Sequence, residues 1–229
     1  MTRRIRIGII DSGVHAAHPH IGNITGGVTI ANGAPDPSCY VDHLGHGTAI
    51  AALIHSRAPQ ADLFAVKIFH HKLVAKLDDV LAAIDWCLQN EMDLINLSLG
   101  TTNSTHRRAF EESTRKVSAA ERGIVSAFEM GGIEALPGCL HGVVAAVADP
   151  SEAPGEHVAN TVRGKRVFTA CPFPRGIPGV PREKNLHGAS FSVAHVTATL
   201  ANLWNPAFRI TDWEAALLER AQPGIAQRR

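Results

Sequence analysis

Short apolar runs alternate along this chain with stretches in which apolar residues recur every three or four positions. Residues 5–10, 63–68, 94–97, 124–128 and 143–147 are the continuous runs, and each predicts a strand buried on both faces. Between the second and third runs, Leu77, Val80, Leu81, Ile84, Cys87 and Leu88 follow helical spacing, with Asp78, Asp79, Asp85 and Gln89 between them. That pattern predicts a crossover helix over 76–90. Further helices are predicted over 105–121, 190–204 (stopped by Asn205-Pro206) and 211–221, the last with Thr211 as cap and Glu214 completing a capping box.

Strands alternating with helices predict an α/β fold of three layers, a doubly wound and mostly parallel sheet flanked by helices. Reactive groups then belong at the carboxyl ends of the strands. Two segments rich in Gly, Pro, Asn and Ser, 22–40 and 150–186, read as long surface loops rather than linkers, so the chain is expected to form a single domain over 1–229. No internal repeat is present, and the only biased tract is the Gln-Arg-Arg tail.

Composition narrows the function classes. With 229 residues, 45% hydrophobic and 19% charged, the chain has enough apolar material for a sizeable core. Its formal charge of +1 gives no reason to expect nucleic acid or an anionic membrane as partner. No apolar stretch approaches the roughly 20 residues of a membrane-spanning helix, and the run after Met1 is too short for a signal peptide. Neither signal peptide nor propeptide is recognised. Cys39, Cys87, Cys139 and Cys171 are scattered, without a CxxC pair and mostly within apolar runs, so reduced thiols and a cytoplasmic location are expected.

Three segments carry candidate chemistry. Asp11 follows the first strand directly in Ile9-Ile10-Asp11-Ser12-Gly13, where its carboxylate would stand at a carboxyl end, although Asp-Ser-Gly is also ordinary turn chemistry. His46 lies in Gly45-His46-Gly47-Thr48, an open backbone at the start of a small-residue helix, which suits a base that must face both a carboxylate and a hydroxyl. Ser190 follows Gly188-Ala189 and opens an apolar helix. It is either an N-cap or a nucleophile beside the free donors and positive end of that helix.

The order Asp, His, Ser, together with Asp11-Ser12-Gly13, His46-Gly47-Thr48, Gly188-Ala189-Ser190 with His195-Val196 behind it, and Asn96-Leu97-Ser98-Leu99-Gly100, resembles the subtilisin-like serine peptidases. The likeness extends from about residue 5 to residue 204. It implies that Ser190 attacks a peptide carbonyl, His46 moves the proton, and Asp11 orients the imidazole. It further implies that Ser98, Leu99 and Gly100 line the substrate groove, where an extended peptide or protein substrate would add as a strand.

The chain also departs from the family pattern. The family's oxyanion-binding asparagine follows a strand matching Gly123 to Phe128, and ungapped alignment puts Gly132 at its position; Ala189 stands where the family usually has threonine. Loss of one such donor costs about two to three orders of magnitude in turnover, a value established on subtilisin itself. Three explanations compete: the Ser190 backbone donor with a substitute suffices, a protonated Glu129 donates instead, or the groove only binds peptide. The resemblance therefore implies a specialised intracellular processing protease, such as one that removes leader peptides in natural-product maturation, with a catalytically impaired peptide-binding module as the alternative.

No cofactor and no metal are expected. His43-Leu44-Gly45-His46 and the pair His70-His71 lack the i, i+4 spacing and glutamate of a zinc peptidase, no acidic loop run is dense enough for calcium, and no Gly-x-Gly-x-x-Gly turn follows the first strand.

Overall fold

The computed structural model describes residues 3–206, 210–220 and 222–223. At its centre is β1 (Arg6–Asp11), whose Ile7, Ile9 and Ile10 are buried, as expected of a strand covered on both sides. Parallel neighbours flank it, β4 (Asp62–Lys67) on one side and β5 (Leu94–Leu97) on the other, with Arg6 opposite Asp62 and Ile7 opposite Leu94. Beyond β5 lie β6 (Gly123–Ala127) and β9 (Val144–Ala148), again parallel. All five continuous apolar runs are therefore adjacent strands of one sheet.

Helices fill the two outer layers. On one face α1 (His46–Arg57), α4 (Ala189–Leu203) and α5 (Ile210–Arg220) share a core with Ile7, Ile9, Leu63 and Phe168. On the other, α2 (Leu77–Gln89) and α3 (Arg107–Ala119) pack Val80, Ile84, Cys87, Phe110 and Val117 against Ile10, Val66, Ile95 and Leu97. The alternation of β1 side chains between these two cores is the period-2 geometry of a strand. The capping pair Thr211 and Glu214 is not realised in the expected form, since α5 begins before Thr211, whose side chain lies outside the described residues, as does the Gln-Arg-Arg tail.

The two expected loops are the main correction. Residues 22–40 contain β2 (Gly26–Ala31), parallel to β4, and β3 (Ala34–Asp36), which turns back along β2. Residues 150–186 contain the hairpin of β10 (His157–Val162) and β11 (Lys165–Ala170), with β11 parallel to β9, and β12 (Gln222–Pro223) beside β10. Among the described residues the sheet thus has ten strands in the order β12-β10-β11-β9-β6-β5-β1-β4-β2-β3. Turn-forming residues masked short alternating patterns: Val28 and Ile30 are buried while their neighbours Thr29 and Ala31 are not, and Arg163-Gly164, both at positive φ, close the second hairpin. What remains irregular is the stretch 150–156 before β10 and the longer one from Cys171 to Gly188, which contains a short 3-10 turn at Arg182–Lys184.

At the amino end of the central strands a buried carboxylate joins three segments. Asp93 accepts from Arg3 at 2.8 and 3.0 Å, from Arg122 at 2.8 Å and from the backbone N–H of Arg6 at 2.9 Å. The start of β5 is thereby tied to β1 and β6, and removing the carboxylate would strand the Arg122 cation and the Arg6 donor. Asp93→Ala is expected to lower unfolding free energy by about 2 kcal/mol, because the Arg6 N–H loses its acceptor while the arginines remain partly solvated. Urea denaturation checks this, and an unchanged midpoint would contradict it.

Candidate active site

At the opposite, carboxyl rim, Asp11 ends β1 and is fully buried. A buried carboxylate needs donors on its oxygens. It receives one from the backbone N–H of Ser12 at 2.7 Å and another from the Nδ1–H of His46, 2.8 and 3.0 Å from its two oxygens. His46 opens α1, and its Nε2 lies 2.9 Å from Ser190 Oγ, so with the ring proton on Nδ1 the nitrogen accepts the serine proton. Three side chains separated by up to 179 positions thus form one hydrogen-bonded row.

The surrounding backbone explains the motif residues. A Cβ at Gly47 would come within 2.2 Å of the Gly13 carbonyl oxygen and 3.1 Å of Asp11 Oδ1, so only glycine lets α1 start this close to the end of β1. The Gly47 N–H is held by Ser12 Oγ at 2.9 Å. Ser12 is thus a tie between the carboxylate loop and α1, a role that Asp-Ser-Gly as turn chemistry did not announce.

Electrostatics follow from the same contacts. Burial would depress the pKa of His46, but the hydrogen bond and charge of Asp11, aided by the charge of Asp42, outweigh it and raise the value above the ordinary 6.5. For Asp42, burial works upward, yet donation from Thr48 Oγ1 and from the N–H groups of Thr48 and Leu44 leaves it below the usual carboxylate range. Behind Ser190, His195 is driven down to about 4 by burial and stays neutral, its Nε2–H donating to the Phe173 carbonyl at 3.0 Å. That bond seats the chain leaving β11 against α4.

The predicted groove residues sit where β5 leaves the sheet. Asn96 receives the Thr197 hydroxyl of α4 at 2.9 Å and donates its amide to Ser98 Oγ at 2.6 Å. The Leu99 carbonyl is occupied by Ser126 Oγ at 3.0 Å, and Thr101 pairs with Leu136. Among the described residues this leaves the backbone groups of Ser98 and Gly100, two apart and therefore on one side of an extended chain, without internal partners. Asn96 was seen as part of the segment Asn96 to Gly100 but not as a support, and Thr197 was missed, because a threonine within a helix gives no sign of its distant partner.

Gly132 sits in the tight turn between β7 (Glu129–Met130) and β8 (Ile133–Glu134), with φ of +80° and a carbonyl that accepts from Arg163 at 3.3 Å. A Cβ there would meet nothing within 4 Å, and Glu129, half-buried, pairs across the hairpin with Glu134. Ala189 brings no polar side chain to the start of α4, where the Ser190 N–H has no acceptor among the described residues.

Comparison with known proteins decides the family. A family model described as "Subtilase family" matches residues 2–135, more than half of the chain. The chain belongs to the subtilase family. This subtilase is similar to the "Minor extracellular protease Epr" of Bacillus subtilis (strain 168), 32% identical over 133 residues that cover 52% of this chain and 20% of that protein. It is also similar to the "Thermostable alkaline protease" of Halalkalibacterium halodurans, 35% identical over 109 residues covering 44% and 29%, and to "Subtilisin E" of Bacillus subtilis (strain 168), 33% over 111 residues covering 44% and 28%. The matches thus span less than a third of these relatives' length. A solved structure described as a "cold adapted subtilisin-like serine proteinase" shares the fold, with a TM-score of 0.71 at 18% identity over 92% of this chain and 80% of the other.

Among the described residues, no three His, Cys, Asp or Glu side chains are placed to hold a metal ion, and no helix is long and apolar enough to cross a membrane. The four cysteines carry free thiols, with Cys87 and Cys171 buried, Cys139 partly buried and Cys39 exposed rather than in the core. An NMR titration is expected to place the His46 midpoint above 6.5. In Asp11→Asn the opposing charge is lost while burial persists, so the midpoint should fall; an unchanged midpoint would separate the two residues.

Proposed function

We propose that this subtilase is a serine endopeptidase in which Ser190 is the nucleophile, His46 the general base and acid, and Asp11 the group that orients the imidazole. The observation that carries the reading is the row Asp11 to His46 to Ser190 at hydrogen-bond distance, with the imidazole in one tautomer serving both neighbours. Ser190 Oγ would attack the peptide carbonyl as its proton passes to His46 Nε2. The imidazolium so formed is stabilised by the Asp11 carboxylate and returns the proton to the leaving amine; water then releases the acyl group by the same route. Ser98 and Gly100 would bind the chain preceding the cut bond as an added strand.

The oxyanion would rest on the Ser190 N–H and the positive end of α4, helped by few side chains, since Ala189 and Gly132 offer none. This supports slow turnover and a specialised processing role, such as leader-peptide removal, over general digestion. Four free thiols favour a reducing compartment, the cytoplasm, for that role. The weakened oxyanion site also favours a second reading, a peptide-binding module without turnover.

A fluorophosphonate probe separates the two. Labelling is expected at Ser190 and absent in Ser190→Ala, and Asp11→Asn is expected to slow peptide cleavage by about four orders of magnitude, as the loss of the orienting carboxylate does in triads of this kind. Folded protein that neither labels nor cleaves would leave the binding module standing.

A further inference from the structure

Next to the triad in the chain, and lined by neither Ser98 nor Gly100, lies a cleft of about 620 Å³. Its walls come from three segments: the turn after β1 with His15, His18 and His20, the loop before α1 with Asp42, His43 and Gly45, and the chain leading to Ser190 with Arg175, Ile177 and Leu186. Gly45 is covalently next to His46, so the cleft begins where the general acid stands. The apolar cavity at Leu99, Gly100 and Met130 shares no lining residue with it. The two are therefore separate cavities.

The cleft is chemically one-sided. Among the described residues Asp42 is its only carboxylate, and both oxygens are consumed, Oδ1 by the N–H groups of Leu44 and Gly45 and Oδ2 by the N–H and hydroxyl of Thr48. Thr48 Oγ1 in turn accepts the His15 N–H at 3.0 Å, so the carboxylate builds the wall rather than serving a ligand. Arg175 has no ion-pair partner among the described residues. His18 Nδ1 accepts the His20 N–H at 3.2 Å, which leaves Nε2–H as its donor, and the two rings meet edge to face at 5.1 Å. An imidazole offers one N–H when neutral and two when charged, and a guanidinium only donates. Among the described residues, four such rings and one guanidinium with no available carboxylate form a surface rich in donors and poor in anionic acceptors.

We propose that this cleft holds the substrate residues that follow the cut bond and selects acidic side chains among them. This rests on the peptidase reading, in which the leaving amine takes its proton from His46 and must depart on the side where Gly45 and His43 lie. Ile177 and Leu186, both about half exposed, would cover the apolar stems of the bound residues. The substrate class is then a peptide whose first two or three residues after the cut carry carboxylates.

The test uses full-length protein and peptides that differ only after the cut bond, carrying Glu, Gln or Lys there. Wild type is expected to cleave the Glu peptide faster than the Lys peptide by about fivefold per charge contact, the upper end for exposed ion pairs. Arg175→Glu and, separately, His43→Glu should shrink or invert that ratio. Equal rates for the three peptides, or a Glu preference untouched by both substitutions, would overturn the proposal. Fluorescence anisotropy with Ser190→Ala reads the cleft without turnover: tighter binding of the Glu peptide, lost on adding Arg175→Glu, supports it even if no peptide is cleaved, an outcome that would sink the peptidase reading alone. Equal binding of all three peptides would sink the cleft proposal alone.

Discussion

The site is organised around a carboxylate with no access to water. Asp11 stays buried because His46 and the Ser12 N–H satisfy it, and an ion so placed is tolerated only while its donors are held in position. That demand reaches outward. It places α1 against the end of β1, which only glycine at 47 permits, and it makes Ser12 a clamp on the first turn of that helix. The same carboxylate raises the pKa of His46 against the effect of burial, so structure and chemistry depend on one contact.

Around it the sheet acts as a frame with different work at its two ends. The amino end is fastened by Asp93 with Arg3 and Arg122, where charge is spent on holding strands together. Among the described residues the carboxyl end leaves groups uncommitted: the Ser190 N–H, the backbone of Ser98 and Gly100, and donors of the histidine-lined cleft. Asn96 and Thr197 bridge β5 to α4, so the Ser98 segment and the helix that carries Ser190 keep their relative placement.

Much of this was legible in the amino-acid order. Apolar runs long enough to be buried on both faces marked the five central strands, because a parallel sheet between helix layers requires that continuity. Asp11, His46 and Ser190 stood out because glycines and a strand end frame them. Strands β2, β10 and β11 were not legible as such, since Gly26-Gly27 and the surrounding prolines mimic loop chemistry while the alternation of Val28 and Ile30 spans only three positions. The bonds from Ser12 to Gly47 and from Thr197 to Asn96 are long-range, so the motifs around Ser12 and Asn96 did not announce them. His43 was weighed only as a metal ligand and the histidines at 15, 18 and 20 not at all, because their shared cleft depends on how the turn after β1 meets the loop before α1.

The central claim is that three distant side chains act on one substrate carbonyl with the acyl chain lying along Ser98 and Gly100. A crystal structure of the protein treated with a peptidyl chloromethyl ketone tests it most directly. The account predicts bonds from the inhibitor to both Ser190 Oγ and His46 Nε2, with the peptide paired to Ser98 and Gly100. Unmodified residues under conditions that inactivate a control serine peptidase, or a peptide seated elsewhere, would contradict it.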